Sequence, residues 1–193
     1  MAFYNPQRLF LAFLTDAKSF KGPAQLTVNG AEWAEEQGVP QSMRSILNDD
    51  RMEAFLWPST GTKGEYFAFE VNKGGRAVVS RTQFLRKFDF LWKTALCQSL
   101  GSEDSATQVE SHVFNSTTDK NRLVFAFAVE FADLGLSVSA LEDGTQTLKC
   151  GLYRATRVDD TGAEMAWASW VDPNDEVVDF HRPETFGTIA FRP

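Results

Sequence analysis

Histidine and cysteine are both scarce in this 193-residue sequence, which holds only His112, His181, Cys97 and Cys150. Two distant cysteines form neither a zinc motif nor a CxxC redox pair, and they supply no disulfide framework from which to infer secretion. Buried free thiols are the expectation. Two histidines apart from any nucleophile motif leave a triad without an oriented base. The patterns GxSxG, HExxH, GxGxxG and the P-loop are all absent, so the chain reads as a non-enzyme. Nothing approaches the roughly 20 apolar residues that cross a bilayer. The start, MAFYNPQRLFLAFLTDAKSF, lacks a basic segment leading into a long apolar run and reads as mature structure, with the cytoplasm as default compartment and no membrane partner. Positive charge is short too: 19 Lys and Arg face 26 Asp and Glu, for a net charge of -7. A phosphate backbone is repelled by that balance, and the densest basic stretch, residues 76–93, is interleaved with Phe, Leu and Trp. Nucleic acid is not the expected partner.

What the chain does have is apolar alternation: 43% hydrophobic residues, with 17 Phe and 5 Trp, suffice for one sizeable core. Residues 123–131, LVFAFAVEF, place Leu123, Phe125, Phe127, Val129 and Phe131 on one side, as a strand requires. Residues 66–72 alternate likewise, with Phe67, Phe69 and Val71 on the core side. Residues 8–14 carry large apolar groups at both parities, the pattern of an interior strand covered on both faces. Further strands are expected at 52–57, 76–80, 88–92, 109–114, 148–157, 165–170 and 188–191. Turn-rich stretches such as WPSTGTKG, LEDG and DPNDE separate them, and the Lys73 to Gly75 cluster reads as a hairpin turn rather than a phosphate cradle. Helix is confined to short candidates at 31–37, 41–47 and 82–87. No repeat or Pro, Gly and Ser linker divides the chain, so residues 1–193 form one domain, an all-β sandwich with short helical insertions.

The acids group as Asp49 with Asp50, Asp159 with Asp160, and Asp172 with Asp175 and Asp179. Such carboxylates suit a glycosidase pair or a structural calcium ion, yet the spaced DxDxDG signature of a calcium loop is absent. No cofactor is expected. Haem held between one of Met43, Met52 or Met165 and a histidine ranks last, since Met52 and Met165 sit in apolar strands as core filler.

Five blocks in order carry a resemblance. RLFLAFLTDA, NDDRMEAFLWP, EYFAFEVNKGG, VEFADLGL and the closing run from CGLYRATRVDD through EMAWASWVDP to FHRPETFGTIAF are similar to the blocks of the family-nine carbohydrate-binding modules, which are DOMON-like β-sandwiches. That resemblance implies a jelly-roll sandwich in which two aromatic rings clamp a sugar and a Glu bonds its hydroxyls. It places the family Glu at Glu53 and one stacking aromatic at Phe180, with His181 beside it. The second stacking position falls near Leu47, Phe67 and Phe69 stand where polar residues are expected, and about thirty residues separate Asp16 from Asp49.

The expectation is therefore a non-catalytic module binding a saccharide or other small polar ligand near Glu53, Phe180 and His181. Trp57, Trp170 and Arg154 are further contacts, with Arg154 reaching Glu53 or Asp50. The rival reading is a protein-interaction or structural sandwich without sugar binding.

Overall fold

The computed structural model describes residues 1–16, 49–61, 65–72, 77–87, 89–99, 110–115, 122–158, 165–172 and 180–192. Its strands are β1 (Ala2–Tyr4), β2 (Arg8–Asp16), β3 (Arg51–Pro58), β4 (Glu65–Asn72), β5 (Ala77–Lys87), β6 (Asp89–Ser99), β7 (Glu110–Asn115), β8 (Arg122–Glu130), β9 (Leu148–Arg157), β10 (Met165–Ser169) and β11 (Gly187–Ile189). They make two antiparallel sheets, a small one ordered β1-β2-β8-β7 and a large one ordered β10-β9-β3-β4-β5-β6. This is the all-β sandwich that the alternation called for.

Register explains the core. β2 meets β8 with Leu9 opposite Val129 and Leu11 opposite Phe127, so the inward residues of the small sheet stack side by side. They face Met52, Ala54 and Leu56 of β3, Phe69 and Val71 of β4, and Leu148 and Cys150 of β9 in one cluster. Phe125 and Phe127 are fully buried there, each stabilising the fold by roughly 1.5–3 kcal/mol. β2 is an interior strand as expected, but its outward face is only partly covered, with Leu14 56% exposed.

Residues 82–87, expected as a short helix, lie instead in β5, where Thr82 pairs with Thr94 and Lys87 with Asp89 of β6. Ladder bonds to a neighbouring strand outweigh the small helix preference of Gln, Leu, Arg and Lys. The other helix candidates, 31–37 and 41–47, lie outside the described residues. One helix that the periodicity did not signal, α1 (Val138–Glu142), starts at Ser137, whose hydroxyl accepts from the Ala140 N–H at 3.3 Å, and it buries Leu141. The turns on either side use Gly135 and Gly144 at φ of 66° and 78°.

β9 organises the large sheet. One edge pairs with β3 along most of its length. The other edge is shared: β10 pairs with Tyr153 through Arg157, and β11 with Leu148 through Cys150. The chain therefore leaves β9 after Ser169, returns at Gly187, and in between lays residues 180–186 over the outer face of the sheet.

Candidate binding site

A second cluster lies on that outer face, away from the other sheet: Phe55, Tyr66, Ala68, Tyr153, Phe180 and Phe186. Alternation along β3 sends Met52, Ala54 and Leu56 inward, and so turns Arg51, Glu53, Phe55 and Trp57 outward. In register, Glu53 lies between Glu70 of β4 and Tyr153 of β9. Two glutamates directly opposite one another repel. The countercharge is Arg51, whose Nε lies 2.7 Å from Glu53 Oε1 and 2.8 Å from Glu70 Oε2, all three residues being buried. The Nε–H donates to Glu70, whereas Glu53 Oε1 makes the short ionic contact without hydrogen-bond geometry. Burial pushes the Glu53 carboxyl up to about 7; attraction to Arg51 acts against this and repulsion from Glu70 adds to it. Arg51 also sits 5.2 Å over the ring of Trp167 on β10. Asn72 steadies the approach to β3 by donating to Asp49 Oδ2 at 3.0 Å.

The strap formed by residues 180–186 is held by two tyrosines. Tyr153 stacks on Phe180 with centroids 4.1 Å apart and donates from its hydroxyl to the Phe180 carbonyl at 3.3 Å. Tyr66 Oη and His181 Nδ1 share a hydrogen bond of 2.7 Å, and the imidazole stacks on Phe55 at 4.8 Å. Burial, with Arg51 nearby, pushes His181 down to about 3, so the ring is neutral. Tyr153 can lie flat because the residue two before it on the same strand is glycine: a Cβ on Gly151 would stand 2.2 Å from the Tyr153 hydroxyl.

Of the residues singled out from sequence, Glu53, Phe180 and His181 come together on this face. Phe180 is 7% exposed and packed inside the strap, and the ring open to solvent beside it is Trp167, at 37%, with centroids 5.3 Å apart. Trp57 stands half-buried further along the same face, with the Lys149 ammonium 5.2 Å over its ring. Arg154 and Trp170 go elsewhere. Arg154 is the register partner of Met52, so it faces the space between the sheets and away from Glu53. Of the two carboxylates it was expected to reach, its guanidinium interacts with Asp50, together with Asp16. Both Arg154 and Trp170 border a cleft of about 710 Å³ at the sandwich edge.

Arg51, Glu70 and Tyr66 are the site residues that sequence reasoning missed. Arg51 was findable, because residues two apart on a strand share a face. Met52 lies in the core while His181 lies on the outer face, so these two cannot flank one haem. Met43 is outside the described residues, and only the backbone of His112 and Met165 is described. Among the described residues no three Asp, Glu, His or Cys side chains are grouped as a metal ion requires, and no helix is long and apolar enough to cross a membrane. Asp159, Asp160, Asp175 and Asp179 lie outside the described residues. Cys150 is a buried free thiol whose pKa burial raises.

No family model and no curated protein matches the chain. Its fold is similar to the crystal structure of a "putative carbohydrate-binding protein" from Bacteroides uniformis, with a TM-score of 0.61 and 17% identity over 97% of this chain and 74% of that one. At that identity the likeness establishes the sandwich fold.

Proposed function

We propose that this chain is a non-catalytic binding module that takes a saccharide, or another small polar ligand, at the outer-face cluster around Glu53. Phe180 and His181 form its wall, and Trp167 is its open ring. The observation that carries this reading is the Glu53 carboxyl, which stands on the outer face with Phe180 and His181, pushed up to about 7 and with Arg51 2.7 Å from its Oε1. A sugar hydroxyl is a neutral donor of the kind such an oxygen accepts, and the C–H face of a pyranose packs on an indole. Two further facts support the same direction. The five ordered sequence blocks resemble family-nine carbohydrate-binding modules, and the fold is shared with a protein named for carbohydrate binding.

The test is a glycan array followed by calorimetry with mono- and oligosaccharides. Saturable binding to at least one sugar is expected, weakened about tenfold or more by Glu53→Gln and by Trp167→Ala. Absence of binding to every sugar overturns the reading. The rival reading, an interaction module, is favoured by Phe3 and Leu14, 53% and 56% exposed on the side of the small sheet away from the core. A stable dimer in sedimentation would move it to the front.

A further inference from the structure

The strand beneath the Glu53 cluster turns its other side toward open space. β9 alternates, so Tyr153 faces outward while Leu152 and Arg154 face between the sheets. There, where β10 ends, the cleft of about 710 Å³ opens to solvent. Phe13 of β2 lies on one wall, and Leu152 and Ala168, followed by Trp170, form the other. Its size falls within the roughly 300–1,000 Å³ of small-molecule sites. Trp170, 55% exposed, stands at the mouth.

Polar groups are few. Thr15 brings a hydroxyl, and Arg154 is the one charged side chain among the described lining residues. Arg154 is faced by the carboxylates of Asp50 and Asp16, and Asp50 also accepts from the Arg157 N–H at 2.6 Å. Burial pulls the Arg154 pKa down, and the two carboxylates act against this. A cation bordering apolar walls is complementary to a molecule with an anionic head and an apolar body. A neutral sugar would set its hydroxyls against Phe13 and Leu152, and an apolar cation would meet Arg154 head on.

We propose that this cleft binds an amphiphilic carboxylate, its apolar body seated between β2 and the β9–β10 edge and its head on Arg154. The site is separate from the Glu53 cluster, which lies across the sheet.

Decanoate, below its micellar concentration, is titrated into the purified chain and followed by calorimetry and tryptophan fluorescence. Saturable binding at one site is expected, with decyltrimethylammonium much weaker. Arg154→Leu should weaken decanoate about tenfold or more. Trp170→Phe should silence the fluorescence change while keeping the heat, and Ala168→Trp, which fills the cleft, should abolish binding. Glu53→Gln should keep decanoate binding whatever it does to sugars, so failure of one site is distinguishable from failure of the other. If Arg154→Leu does not fold, Ala168→Trp and the anion against cation comparison on the parent chain decide. Absence of saturable decanoate binding, equal affinity for the cationic amphiphile, or unchanged affinity in a folded Arg154→Leu or Ala168→Trp variant overturns the proposal.

Discussion

On one face of β9, Tyr153 is covered by Phe180 and the neighbouring Glu53 carboxyl is 2% exposed; one residue further on, Arg154 borders a cleft whose Trp170 is 55% exposed. The closed face concentrates groups that are costly to bury: Arg51, Glu53 and Glu70, kept in place by mutual pairing. The open edge holds mostly apolar side chains that lose little by meeting water singly. Buried charges are strongly destabilising when one partner is removed, whereas half-exposed apolar groups are not. The two sides of one strand therefore differ less in composition than in what a single substitution does to them.

The largest effect belongs to the closed face. Arg51→Met leaves Glu53 and Glu70 opposed without a countercharge and should cost about 3–5 kcal/mol in urea unfolding. Restoring much of that loss by adding Glu53→Gln would tie it to charge; no restoration would make Arg51 a packing residue and weaken the contrast. Next comes pH. The Glu53 pKa lies above its ordinary 4.5, so the carboxyl's contribution to stability is complete below pH 4.5 and drains away as pH rises through about 7. The change amounts to at most ~3 kcal/mol. His181, pushed down from 6.5 to about 3, has the opposite sign: its contribution is present above pH 6.5 and is lost as pH falls toward 3. Between pH 4.5 and 6.5 the two slopes oppose each other. Unfolding curves from pH 4.5 to 7 should therefore show stability rising more steeply with pH in Glu53→Gln than in the parent. Smaller again is Gly151→Ala, which forces Tyr153 off the strand and loosens the strap for about 1–3 kcal/mol, read as lower thermal stability with a red-shifted Trp167 emission. Smallest is Trp170→Ala at the open edge, at or below ~1 kcal/mol. A larger loss there would show that the cleft is a structural element and erase the distinction.

Much of the sandwich was legible because each core-facing strand keeps one parity apolar. β8 shows this best, with Leu123, Phe125, Phe127 and Val129 all inward. β5 was harder, since residues 82–87 alternate weakly and only their partners in β6, remote from any local signal, make them a strand. In the site, Glu53 and Phe180 were reachable by resemblance, but the Tyr66 to His181 bond joins residues 115 apart and leaves no trace in local pattern. Arg154 was expected to reach Glu53 or Asp50, and parity decides between them: Tyr153 pairs with Glu53, so its successor faces the opposite way, toward Asp50. Trp170 follows the last residue of β10, where alternation no longer fixes a direction.

The divided edge of β9 also has a meaning for protein engineering. Ser169 pairs with Tyr153 and Gly187 with Cys150, so the segment between them starts and finishes three residues apart on one strand, roughly 10 Å by strand rise. Closing a longer loop across a fixed gap adds entropy cost only logarithmically, about 0.6 kcal/mol per doubling of length. The sheet thus offers a graft point: recognition segments of different length and chemistry can be exchanged between the two anchoring ladders provided that Phe180, His181 and Phe186, which cover the outer face, are kept.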